Sequence, residues 1–172
     1  MSSRSKIKIR LARADDAPAI ATLLRESFIE YRSLYTSEGF AATAITGQQI
    51  IDRLTEGPVW LGVDDESIVG TASVVAKGHS LYVRGMAVHP TARGQHIGEL
   101  LLSHLEEFAR SNGFTRLFLS TTPFLDRAIR LYERFGFRRT TEGPNDLSGT
   151  PLFTMEKTLT AVRGQKEAEA GE

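Results

Sequence analysis

The stretch from residue 80 to residue 113 constrains the fold most, because it predicts a strand, a turn containing glycine and a long helix in direct succession. Residues 80–88 have a strand pattern. Apolar residues then recur at helical spacing over residues 97–111, with a helix start expected at about Gln95 and Asn112-Gly113 as the expected end. A strand that leads into an amphipathic helix favours a sheet covered by helices.

Further strands and helices are predicted on both sides of this unit. Strand patterns cover residues 7–11, 59–63, 67–76, 115–120, 137–141 and 152–159, and helical patterns cover residues 17–31, 46–55 and 126–135. The segment from Tyr31 to Phe40 is aromatic, polar and aperiodic, so it is either a surface connection or a wall of a binding pocket. Strand–helix alternation between predicted hairpins indicates an α/β fold with a mixed sheet.

Length and composition predict one soluble domain. The 172 residues fit a domain of ordinary size, which we expect to span residues 1–159, before a disordered polar tail over residues 160–172. The 21 basic and 21 acidic residues balance, which argues against a nucleic-acid partner. No apolar run approaches the roughly 20 residues that a membrane span needs, and no signal peptide is apparent. With no cysteine, these features favour a cytoplasmic protein.

The turn over residues 93–98 has the features of a site for phosphate groups. The first N–H groups of a helix have no partner inside it and carry partial positive charge, so they suit an anion. Gly94 and Gly98 would let the backbone approach a diphosphate, and the guanidinium of Arg93 matches phosphate oxygens. Neither the Walker A motif nor the dinucleotide fingerprint is present. A purely structural connection is the alternative interpretation.

Together with a second motif, this turn resembles the GNAT superfamily of acetyl-coenzyme A-dependent N-acetyltransferases. The superfamily's turn has Arg or Gln, two residues, Gly, one residue, then Gly or Ala, and Arg93 and Gly98 match its first and last positions. Met86–Pro90 resembles the superfamily's fourth strand and its exit. Ala128–Phe137 resembles its second motif, in which a helix carries a tyrosine shortly before Gly-Phe. The resemblance covers roughly residues 7–159.

Two positions depart from the superfamily's pattern. His96 stands where the superfamily most often has glycine. Because that residue would contribute a backbone N–H, we expect phosphate binding to survive. Leu125 stands where many members have an asparagine that contacts the pantetheine arm, and the residues that replace this contact are left unassigned.

The resemblance implies a mostly antiparallel sheet of about seven strands, flanked by about four helices, with its fourth and fifth strands splayed apart. It also implies direct transfer of an acetyl group from acetyl-CoA to a primary amine, without a covalent enzyme intermediate. A backbone N–H near Gly85–Ala87 would polarise the thioester carbonyl. The expected cofactor-binding residues are Met86, Ala87, Val88, Arg93, Gly94, Gln95, His96, Ile97 and Gly98.

The matching motif makes Tyr132 the expected general acid, which would protonate the departing thiolate. Spacing alone favours a core aromatic at this position, but the following Gly136-Phe137 and the cofactor turn reverse that preference. The expected acceptor-binding residues are Glu30, Tyr31, Tyr35, Tyr82 and Arg84. The general base stays open among Glu26, Glu30, His79, Tyr82 and Arg84. No metal is expected, since the four histidines are widely scattered.

Three functions are compatible with the sequence. The first is an N-acetyltransferase acting on a small-molecule or peptide amine, which the presence of Tyr132 favours. The second is a non-catalytic acyl-CoA sensor on the same fold. The third is another kind of nucleotide-binding protein, which the absence of the known phosphate and ribose motifs disfavours. The sequence leaves open the acceptor, the acyl-chain length and the oligomeric state, for which a homodimer is one option.

Overall fold

A seven-stranded mixed sheet forms the centre of this computed structural model, which describes residues 7–160. In chain order, the strands are β1 (Ile7–Leu11), β2 (Val59–Asp64), β3 (Ser67–Lys77), β4 (Ser80–Val88), β5 (Arg116–Thr121), β6 (Arg138–Thr140), β7 (Asp146–Leu147), β8 (Thr150–Pro151) and β9 (Phe153–Thr158). The large sheet has the order β1-β2-β3-β4-β5-β9-β6, and β7 and β8 form a separate ribbon. Within the described range, β4 and β5 are the parallel pair and all other pairs are antiparallel.

Five α-helices cover the sheet. They are α1 (Ala17–Phe28), α2 (Ser37–Thr43), α3 (Gly47–Leu54), α4 (Ile97–Ser111) and α5 (Asp126–Arg134). One buried apolar cluster joins α4 and α5 to the sheet, and a second joins α1 and α3 to it. The expected mostly antiparallel sheet of about seven strands is therefore confirmed, with five helices rather than about four.

The expected aperiodic segment before α3 contains more regular structure than its pattern indicates. The predicted helix 17–31 ends at Phe28 and continues as the 3-10 segment Ile29–Leu34, and α2 follows. Thr36 starts α2, because its side-chain oxygen accepts a hydrogen bond from the Gly39 N–H at 2.9 Å. The backbone N–H of Thr36 also donates to Thr150 Oγ1 at 2.9 Å, which ties α2 to the β7–β8 ribbon.

A β-bulge at Gly85 changes the face on which the side chains of β4 lie. Thr71 of β3 pairs with Ala87 while Ser73 pairs with Arg84, so β4 carries one extra residue here, and Gly85 has a φ of +61°. Before the bulge, Val83 packs in the cluster with α4. After it, Ala87 packs in the cluster with α1 and α3. The bulge therefore turns the end of β4 relative to its beginning.

The parallel pairing of β4 with β5 is short. It extends only over Ser80, Leu81 and Tyr82, which pair with residues 116–118. The two strands then separate, as expected from the resemblance. Within residues 7–160, no helix combines the length and the hydropathy that a bilayer span requires. Apart from Thr160, the tail predicted to be disordered lies outside the described residues.

Candidate active site

The gap between β4 and β5 opens into a cavity of about 390 Å³. Its walls come from the end of β4, the end of β5 and the loop after it, the inner side of α5, the segment between α1 and α2, and Leu147 of the β7–β8 ribbon. A cavity of this size suits a small-molecule ligand. It exists because the two strands stop pairing after Tyr82.

Tyr132 lies in the last turn of α5 and lines this cavity. Its side chain is buried, with a ring centroid 5.8 Å from that of Phe137. No side-chain hydrogen bond joins Tyr132 to another residue of the part of the chain that the structure describes. Burial, and to a lesser degree the nearby Tyr35, raises the pKa of Tyr132 above the usual value of a phenol. Tyr132 therefore remains protonated at neutral pH and can donate a proton.

The turn before α4 presents a series of free backbone N–H groups. Gly94 and His96 have φ values of +84° and +61°, and α4 begins at Ile97, two residues later than predicted. The N–H groups over residues 94–99 donate no hydrogen bond to any residue of the described range. Alternating left-handed residues curve the backbone so that successive N–H groups form a concave anion site. The His96 side chain is 82% exposed at the start of α4.

Gly98 also has a packing role that the sequence does not indicate. A Cβ at this position would lie 2.6 Å from Leu131 Cδ2, so a larger residue would collide with the end of the Leu131 side chain on α5. The glycine therefore allows α4 to pack closely against α5. Gly94, by contrast, has open space around it and is needed for its positive φ.

Four of the five residues expected to bind the acceptor lie around the cavity. Tyr31, Tyr35, Tyr82 and Arg84 line the cavity. Glu30 does not, because its carboxylate pairs with the guanidinium of Arg93. The ring of Tyr35 packs edge-on against Phe124 with centroids 4.8 Å apart, and burial raises the pKa of its phenol.

The residues expected to bind the cofactor divide into two groups. Met86, Ala87, Val88 and Arg93 line the cavity, whereas residues 94–98 form the turn beside it. Among the candidate bases, Glu26 is hydrogen-bonded to His89, with Oε2 2.6 Å from His89 Nε2. Neither Glu26 nor His79 lines the cavity.

Sequence reasoning missed Arg53 and Arg127, both of which line the cavity. Arg53 lies in the last turn of α3, where a cation is common because the helix dipole favours it. Its position in the sequence therefore carries no signal of a binding role. A group of three potential metal ligands is also absent from residues 7–160.

Residues 18–137 match the acetyltransferase (GNAT) family. The chain is 27% identical over 143 residues to the uncharacterized N-acetyltransferase YjgM of Escherichia coli K12, which covers 80% of this chain and 84% of that protein. It is 38% identical over 96 residues to an IAA acetyltransferase of Azospirillum brasilense, which covers 54% of this chain and 62% of that protein.

Solved structures have the same fold. The PaiA N-acetyltransferase of Thermoplasma acidophilum, solved in complex with coenzyme A, has a TM-score of 0.77 at 16% identity and covers 89% of this chain and 99% of that one. A GNAT-family acetyltransferase of Staphylococcus aureus Mu50 has a TM-score of 0.76 at 17% identity and covers 90% of this chain and 100% of that one. With a family match over most of its length and this shared fold, the chain belongs to the GNAT family of acetyltransferases.

Proposed function

We propose that this chain transfers an acetyl group from acetyl-CoA to a primary amine by direct attack, with Tyr132 as the general acid. The observation that carries the proposal is the position of Tyr132, whose side chain is buried in the protein yet lines the cavity between β4 and β5, with no side-chain hydrogen bond to another residue of the described range.

The residues around the cavity fit acetyl-CoA. The free N–H groups over residues 94–99 suit its diphosphate. The end of β4 at Met86–Val88 has no strand on its β5 side, so its main chain is available to align an extended pantetheine arm. When bound, acetyl-CoA would supply an acetyl group activated as a thioester.

Two groups of the chain would act on the reacting atoms. A backbone N–H at the Gly85–Ala87 bulge would donate a hydrogen bond to the thioester carbonyl oxygen. Tyr132 would donate its phenolic proton to the sulfur while the carbon–sulfur bond breaks and the carbon–nitrogen bond forms. The acceptor nitrogen loses one proton in the same transfer, so no oxidant or reductant is needed.

The acceptor must reach the site as a free amine. An alkyl ammonium with a pKa of about 10.4 is not nucleophilic at neutral pH. No carboxylate or imidazole of residues 7–160 lines the cavity, so water in the cavity would take the proton. The lack of a directly placed base is also the observation that favours the second candidate, a non-catalytic acyl-CoA sensor.

Calorimetric titration with acetyl-CoA, followed by a thiol-release assay over a panel of small-molecule and peptide amines, tests both candidates. Members of the GNAT family act on small-molecule or protein amines, so the panel should contain both. Binding together with amine-dependent thiol release supports the enzyme. Binding without release from any amine supports the sensor, and failure to bind contradicts both.

A further inference from the structure

The charged side chains that line the cavity are all arginines. Four arginines, but no aspartate, glutamate, lysine or histidine of the described range, line it, and they are Arg53, Arg84, Arg93 and Arg127. Arg93 is paired with Glu30, and Arg84 is paired with Glu56. Arg53 forms no salt bridge or side-chain hydrogen bond with any described residue.

Arg53 is poorly compensated as a cation. It is half-buried, and burial together with the positive charge of Arg84 lowers its pKa. Glu56, the carboxylate that interacts electrostatically with Arg53, is paired with Arg84, and Lys77 also acts on Glu56. The C-terminal end of α3 offsets part of this cost. A partly desolvated cation without a salt-bridge partner among residues 7–160 favours an anionic ligand.

The guanidinium of Arg53 lies beside the backbone at which the proposed reaction takes place. A Cβ on Gly85 would be 2.9 Å from Arg53 Nη1, so the glycine makes room for the guanidinium against the bulge in β4. Arg84, next to Gly85, has a buried Nε that lacks a hydrogen-bond partner within residues 7–160. An anion held here would be adjacent to the backbone N–H groups proposed to polarise the thioester.

We propose that Arg53, with Arg84 beside it, binds a carboxylate of the acceptor, so that the acceptor is a small amine that also carries a carboxylate, such as an amino acid. The planar fork of donors on a guanidinium matches a carboxylate. Polyamines and lysine-rich segments would be repelled by the same charges. This inference rests on the proposed function and names its substrate class.

Matched substrates test the inference. Free amino acids and their carboxamides present the same amine with and without the carboxylate. For the best acceptor, we expect the wild-type chain to have a kcat/KM for the amino acid that is about tenfold or more above its kcat/KM for the corresponding carboxamide. The ratio of these two kcat/KM values should fall to about one in Arg53→Gln. It should be partly kept in Arg53→Lys, which retains the charge but loses the planar fork of donors. It should be unchanged in the control Arg25→Gln, which removes an exposed arginine of α1. Affinity for acetyl-CoA should be the same in all four proteins.

Equal turnover of amino acids and carboxamides, or a preference that survives Arg53→Gln, would overturn the inference while leaving acetyl transfer intact. Ligand-observed NMR with N-acetylated amino acids and their amides gives a readout that needs no turnover. Carboxylate-dependent binding that disappears in Arg53→Gln supports the site even if no amine is acetylated, in which case the proposed function alone fails. Absence of carboxylate-dependent binding overturns the site. Should Arg53→Gln fail to fold, Arg53→Lys provides the comparison.

Discussion

The absent side chain of Gly98 makes room for Leu131, since a Cβ on this glycine would lie 2.6 Å from Leu131 Cδ2. Gly98 is in the first turn of α4, and Leu131 immediately precedes Tyr132 on α5. This contact therefore limits how closely the turn over residues 93–98 and the proposed acid approach each other.

We expect Gly98→Ala to lower the free energy of unfolding by about 1–3 kcal/mol, because the added methyl group must displace the end of the Leu131 side chain from its packed position. Denaturant unfolding measures the loss. The double variant Gly98→Ala with Leu131→Ala should be less destabilised than the sum of the two single variants, because the shorter side chain relieves the collision. Additive losses would show that the two residues do not constrain each other.

A charge at residue 96 tests the phosphate-binding turn without disturbing the packing. Asparagine and aspartate both tolerate the left-handed backbone of His96, and they differ only in charge. We expect His96→Asp to weaken binding of acetyl-CoA by about tenfold or more, since its carboxylate would stand at the N-terminus of α4 beside the diphosphate.

His96→Asn is the matched control and should bind nearly as tightly as the wild-type chain. Calorimetric titration at two ionic strengths gives both affinities, and the difference between the variants should shrink at high salt. Equal affinities of the two variants at low salt would place the diphosphate elsewhere.

Replacing Tyr132 by phenylalanine removes the proposed proton donor and preserves the ring that packs on Phe137. We expect the single-turnover rate of acetyl transfer to fall by about 10²–10⁴-fold, the usual contribution of a positioned proton donor. Affinity for acetyl-CoA should change little, because a neutral hydrogen bond contributes only about 1 kcal/mol.

Phe137→Leu is the control for packing, since Phe137 contacts the ring of Tyr132 without lining the cavity. It should lower stability yet leave the single-turnover rate within about threefold of wild type. If Tyr132→Phe behaves like this control, Tyr132 is a core aromatic and the acid must be sought elsewhere.

The features that can be predicted from the sequence are those that depend on patterns of neighbouring residues. Apolar spacing gives the bounds of Ser80–Val88 and of residues 97–111, and the two motifs indicate the family. What was missed depends on contacts between distant residues. Helix α2 is short and is stabilised by Thr36, whose N–H bonds to Thr150 more than a hundred positions later. No local pattern reports such a contact.

The same reason explains what the sequence does not show about the candidate site. The role of Gly98 depends on Leu131, which no motif places against it. Arg53 resembles an ordinary surface cation at a helix end, and only the fold brings its guanidinium to Gly85. Glu30 was expected among the acceptor-binding residues because of its position in the chain, but its carboxylate is paired with Arg93. Fold and family can thus be predicted from the sequence, whereas the set of charged side chains that line the cavity is known only from the folded structure.

The pH dependence of acetyl transfer follows from the raised pKa of Tyr132. The phenol acts only when protonated, and burial keeps it protonated beyond its ordinary pKa of about 10. With an acceptor whose amine is already neutral near pH 8, the single-turnover rate should therefore show no descending limb up to about pH 10. Because the pKa of Tyr132 is higher in the folded state than in the unfolded state, the protonated phenol contributes to the free energy of unfolding below the unfolded-state pKa of about 10. This contribution is lost as the pH rises above about 10. A descending limb below that pH, present in the wild-type chain and absent from Tyr132→Phe, would mean that Tyr132 ionises too easily to have the buried environment described here.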